Sequence, residues 1–80
     1  VKKANVVTAA DLAAGEIGAV VSIEGGHQLH NRLEALGIRS GKKIRKVSSA
    51  FMRGPSILEV DGCNIAIGYG MATRILIKTD

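Results

Sequence analysis

Two spacings of apolar residues divide this chain of 80 residues. Over residues 27–36 the spacing is helical. Leu29, Leu33 and Leu36 stand at i, i+4 and i+7, one stripe on a helix of about three turns, with Arg32 and Glu34 off the stripe. Gly25 and Gly26 open this segment. Gly37 stands where a left-handed C-terminal cap is wanted, a conformation glycine adopts without steric penalty. Elsewhere the spacing is two, as in strands. Ile17, Ala19, Val21 and Ile23 alternate with Gly18, Val20, Ser22 and Glu24, which predicts a strand with the first set facing inward. Residues 42–49 read as a second strand, in which Ile44 and Val47 have opposite parity and so call for a bulge or a strong bend.

Punctuation sets the remaining elements. Residues 1–7 read as a mixed lead-in or an edge strand. Thr8 caps a single helical turn with Asp11 in its first-turn position, and Gly15 ends it. Residues 50–55 form a loop around Gly54-Pro55, and residues 56–60 form a third strand. Asp61-Gly62 is a strong two-residue hairpin signal. It leads into a strand with Cys63, Ile65 and Ile67 on one face. Residues 68–72 read as a tight turn before a last strand over 74–78, where Ile75 and Ile77 point together. Five strands, short turns and one helix in the first long connection predict a small closed β-barrel, and closure removes the exposed sheet edges. The predicted lining is Ile17, Val21, Ile23, Ile44, Ile65, Ile67 and Ile75, with the leucine stripe packed onto it.

Composition narrows the chemistry. Hydrophobic residues make up 46% of the chain, enough for a core, but Phe51 and Tyr69 are its only aromatics. Base-stacking platforms need several, so single-stranded nucleic-acid binding has little support. One cysteine excludes an internal disulfide and fits a reducing compartment. No apolar run approaches the ~18 residues of a membrane span, and no signal sequence opens the chain, so the expected location is the cytoplasm. The net charge is +4, with Arg39, Lys42, Lys43, Arg45 and Lys46 crowded together. Such a patch either meets an anionic partner or lines a solvated strand edge, where cations discourage aggregation.

Catalytic chemistry has no foothold. No nucleophile context and no carboxylate pair in a recognisable cleft is present, and Cys63 is expected to be a small buried hydrophobe. Residues 37–42, GIRSGK, resemble a phosphate-binding loop only superficially. Three residues separate the glycines, Lys43 replaces the magnesium-binding hydroxyl, and a strand follows where a helix is required. His27, His30 and Glu34 could share a helix face toward a divalent metal, but they offer at most three exposed ligands. Only weak binding is expected, and no metal site is assigned. Phe51, Met52 and Arg53 in the Gly-Pro loop, with Tyr69 and Met71 in the later turn, are large adaptable side chains in turns. They are the candidate partner-binding residues, and Lys42 and Lys43 would steer the approach.

The ordered set of short motifs resembles the FeoA family. Leu12, Gly15 and Gly18 are followed by Gly25-Gly26, Arg32-Leu33 and Leu36-Gly37-Ile38. Gly41, Gly54-Pro55, Val60 with Gly62, Ile65-Ala66-Ile67-Gly68 and Met71-Ala72 complete the set. The chain departs from the family where Ala50-Phe51 replaces a common proline and where Gly68-Tyr69-Gly70 replaces an arginine or glutamate. The resemblance implies a single SH3-like barrel domain over residues 1–80, of five to six strands with one inserted helix over 27–36. It further implies a non-catalytic accessory role without cofactor in ferrous iron uptake, acting on the cytoplasmic GTP-binding part of the FeoB transporter. The chain would then meet the membrane only through that transporter, and no nucleic acid is expected. The same domain ends metal-dependent transcriptional repressors of the diphtheria-toxin-repressor type, which gives an alternative reading. A basic nucleic-acid-binding barrel is the third.

Overall fold

The computed structural model describes residues 5–48 and 54–79. These residues contain six strands: β1 (Asn5–Thr8), β2 (Ile17–Ile23), β3 (Lys43–Ser48), β4 (Ser56–Val60), β5 (Cys63–Ile67) and β6 (Ile75–Thr79). A 3₁₀ turn at Ala9–Asp11 follows β1. Helix α1 (His27–Ala35) joins β2 to β3, and a short helix α2 (Tyr69–Ala72) joins β5 to β6. The strands form one antiparallel sheet in the order β1-β6-β2-β3-β4-β5. Among the described residues no ladder joins β1 to β5, the two outer strands.

Local chemistry accounts for the connections. Thr8 Oγ1 accepts the Asp11 N–H at 3.3 Å, capping the 3₁₀ turn. At the end of α1 the Gly37 N–H donates to Glu34 O and the Ile38 N–H to Leu33 O, both at 2.9 Å. This is a Schellman closure, and it requires the φ of +90° that Gly37 adopts. Asp61 and Gly62 have φ of 53° and 82°, the left-handed pair of a type I′ turn, and they set Val60 opposite Cys63. Where a tight turn is predicted before β6, Gly68 instead starts α2, accepting the N–H groups of Met71 and Ala72.

The core contains Ala9, Leu12, Val20, Leu33, Ile38, Ile44, Leu58, Val60, Ile67, Ala72, Ile75 and Ile77. It corrects the predicted parity of β2. Gly18 and Val20 point inward, while Ile17 and Val21 are 57% and 44% exposed. The cause is the close approach of β6. A Cβ on Gly18 would stand 2.3 Å from Ile77 Cγ2 and 2.9 Å from Lys78 O, so only glycine fits there, and that pins the register. A bulge between Val20 and Ser22 then shifts the strand and lets Ile23 pack against the core. The bulge expected in β3 lies between Lys46 and Ser48.

Three further expectations need correction. Leu36 is the C-cap of α1 and is 40% exposed, because the chain turns there and Ile38 takes the interior place. Cys63 is exposed, at the start of outer strand β5. Lys46, counted in the basic patch, is fully buried.

Candidate functional site

Helix α2 presents two of the predicted partner residues. Ala72 is buried and anchors this single turn, while Thr73 Oγ1 donates to Gly70 O at 2.8 Å. Anchored so, Tyr69 is exposed and Met71 is half-buried against the core. Met71 joins Gln28, Leu29 and Arg32 of α1 in lining a shallow depression of about 420 Å³. Phe51, Met52 and Arg53 lie outside the described residues.

A second depression, of about 350 Å³, lies along α1 over Ile23 and Ile38, with His30, Glu34, Arg39 and Ser40 around it. Ser40 Oγ donates to Val21 O at 2.9 Å and holds the 39–41 turn against the β2 bulge. His30 also lines a smaller depression with His27, Gly25 and Gly26. His27 and Glu34 thus open onto different hollows. Among the described residues no three of His, Cys, Asp and Glu gather as a metal-ligand set.

The basic stretch is not one patch. Lys42 Nζ reaches both carboxylate oxygens of Asp61, at 3.0 and 2.9 Å, tying the start of β3 to the β4–β5 turn. Arg45 reaches Glu59 Oε1 from Nε at 2.8 Å and from Nη2 at 2.6 Å. Exposed pairs of this kind contribute about 0–1 kcal/mol, but they neutralise the charge locally. Lys46 turns inward, where its Nζ donates to Ala9 O at 2.8 Å, Ala10 O at 3.2 Å and Leu12 O at 3.0 Å. Burial lowers its pKa below the usual lysine value, and Asp11 and Glu16 oppose that shift. Of the five cations, Arg39 and Lys43 face solvent without an ion-pair partner among the described residues. The sequence held a signal for Lys46, which shares the parity of Ile44 and so faces the interior with it.

The two groups of predicted residues are separated. Asp61 and Lys42 lie at the beginning of β5 and Tyr69 and Met71 just past its end, roughly 15 Å of strand apart.

Among the described residues, a six-stranded antiparallel sheet with an inserted helix matches an SH3-like fold. The FeoA domain model matches residues 7–79. The chain is 36% identical over 64 residues to a candidate Fe(2+) transport protein A of Methanocaldococcus jannaschii, covering 80% of this chain and 76% of that protein. It also superposes on the crystal structure of an iron uptake regulatory protein, FeoA, with a TM-score of 0.84. The two are 36% identical, with 92% of this chain and 97% of that one covered. A manganese-dependent transcriptional repressor shares the fold alone, with a TM-score of 0.86 and 17% identity over the whole of this chain and 45% of that one. The chain belongs to the FeoA family, the non-catalytic accessory domains of ferrous iron transport.

Proposed function

We propose that the chain works in the cytoplasm as an accessory domain of ferrous iron uptake, binding and modulating the GTP-binding part of a FeoB-type membrane transporter. The observation that carries this reading is the family match over residues 7–79, supported by 36% identity to a candidate Fe(2+) transport protein A. The contact surface is the Phe51-Met52-Arg53 segment together with Tyr69 and Met71. Aromatic, methionine and arginine side chains are the usual anchors of such interfaces. Lys43 supplies long-range attraction, while Lys42 is tied to Asp61. We also read the sheet as a barrel whose β1–β5 seam is closed by packing. Ala9 and Leu12, which follow β1, share one hydrophobic cluster with Leu58, Val60 and Ile67 of β4 and β5.

A nucleic-acid reading loses its motive, because Lys46 is buried and Lys42 and Arg45 are paired with carboxylates. The likeness to the repressor is one of fold. The test is a titration against the transporter's cytoplasmic domain with nucleotide varied. The wild type should bind. Replacing Phe51 and Met52 together by serine should leave the melting curve unchanged and weaken binding at least tenfold, chiefly through faster dissociation. A serine variant that binds and restores iron uptake like the wild type would move the contact elsewhere.

A further inference from the structure

The outward face of β6-β2-β3 carries an arrangement that the α2 surface does not explain. Ala19 stands directly opposite Lys43 on one side and Lys78 on the other. Both lysines are exposed, and neither has an ion-pair partner among the described residues. Strands lie about 4.8 Å apart, so the two lysine Cα atoms are roughly 10 Å apart across one small residue. The result is a notch of about 410 Å³ with Ala19 at its floor, the lysines at its walls and Ile17 at one end. The row continues to Val6, opposite Lys78, which is 56% exposed. Glu16, the one acidic group lining the notch among the described residues, is turned back to accept the Ala13 N–H through Oε1 at 2.9 Å.

The register makes this more than a chance pair of surface lysines. Gly18 forces the parity that turns Ile17 and Ala19 outward, so an isoleucine that the core could hold is instead left in water. Two cations without an ion-pair partner among the described residues, over a small floor and beside an exposed branched aliphatic residue, match an acidic side chain followed by an apolar one. The same face carries Glu59 beside Arg45 in the next row, opposite Ile17. That pair is internally neutralised, so the uncompensated positive charge of this face is confined to the notch, which a narrow anionic segment matches better than a broad anionic surface.

We propose that the notch over Ala19, walled by Lys43 and Lys78, docks an acidic-apolar segment of the partner protein, the carboxylate between the lysines and the apolar side chain on Ile17. The inference rests on the reading that the transporter's cytoplasmic domain is that partner, and it adds a second contact, on the sheet. The test is a titration of isotope-labelled protein with that domain, read by amide chemical shifts and by affinity at two salt concentrations. Shifts are expected at Ile17, Ala19, Lys43 and Lys78. The double variant Lys43→Glu/Lys78→Glu should bind at least tenfold more weakly, mostly through a slower and less salt-dependent association. Ile17→Ser should dissociate several-fold faster. Ala19→Glu, which offers the lysines a carboxylate of the chain's own, should mimic the double variant. All these positions face outward, and an unchanged melting curve confirms the fold of each variant. Binding that leaves the four signals unmoved, with charge-reversed protein as tight as wild type, overturns the notch and leaves the reading of the partner standing. No binding by the wild type overturns that reading and the notch with it. Lysine-dependent sedimentation with phosphatidylserine vesicles, without any response to the domain, assigns the face to a membrane and likewise overturns the proposal.

Discussion

Lys46→Met tests the interior directly. Methionine keeps the length and the apolar stem of lysine but removes the donors now held by Ala9 O, Ala10 O and Leu12 O. A buried ion pair can be exchanged for apolar residues without loss, since both charges leave together. That route is closed here, because the acceptors are main-chain carbonyls that no side-chain change removes. Ala9 and Leu12 are 0% and 2% exposed, so water does not replace the donor. Two orphaned carbonyls cost about 1–3 kcal/mol each. Relief of the ammonium's desolvation opposes that loss, and the lowered pKa of Lys46 gives its sign. The expected net loss is about 2 kcal/mol, which lowers the melting temperature of a domain this size by roughly 8–16 °C. Urea and thermal unfolding followed by circular dichroism measure it. There is also a pH signature. Because the folded pKa lies below 10.5, the unfolded chain binds more protons at this group in the alkaline window just under that value. Wild-type stability should therefore rise relative to Lys46→Met as pH increases through the window. A variant as stable as wild type at neutral pH, or a difference that shrinks with rising pH, would refute the reasoning.

Two further predictions concern packing. Leu33→Ala removes the fully buried anchor of α1 and should cost about 2–5 kcal/mol, read as a lower urea midpoint at constant slope. Gly18→Ala should cost at least 1–3 kcal/mol, because the new methyl meets Ile77 and the main chain of Lys78, while Gly26→Ala, with open space at its Cβ, should lose no more than the preference of the α1 N-cap for glycine over alanine, about 1 kcal/mol.

What the sequence discloses depends on how local the cause is. The Asp61-Gly62 turn, the Thr8 cap and the Gly37 closure each rest on a few neighbouring residues, and their chemistry is written there. The leucine stripe of α1 is legible as far as Leu33 and fails at Leu36, where the end of the helix overrides its period. The face of β2 is decided from outside, by β6 lying against Gly18 and by a bulge on the far side of Val20. Alternation alone sets Ile17, Val21 and Ile23 against Val20 and so favours the wrong parity for the first half of β2. Lys46 is misread for a related reason: its charge argues for solvent, and the carbonyls that accept its protons are more than 30 residues away. Of the candidate surface, Tyr69 and Lys43 can be picked out as exposed from residue type and turn position. The partnership of Lys43 with Lys78 across Ala19 belongs to the register and has no local signature.

The place of β6 in the sheet has a consequence for biosynthesis. Of the six strands among the described residues this one is made last, yet it lies second in the sheet and bonds β1 on one edge and β2 on the other. Until residues 75–79 leave the ribosome, β1 has no neighbour to pair with and the interior lacks Ile75 and Ile77. The hairpin of β4 and β5 and helix α1 can form early from local contacts, but completing the sheet must wait for a pairing as distant as Asn5 with Thr79. Such long-range pairing slows folding and leaves apolar strands exposed to chaperones or to other nascent chains in the interval. A chain that lacks residues 75–79 would therefore be unable to assemble its sheet.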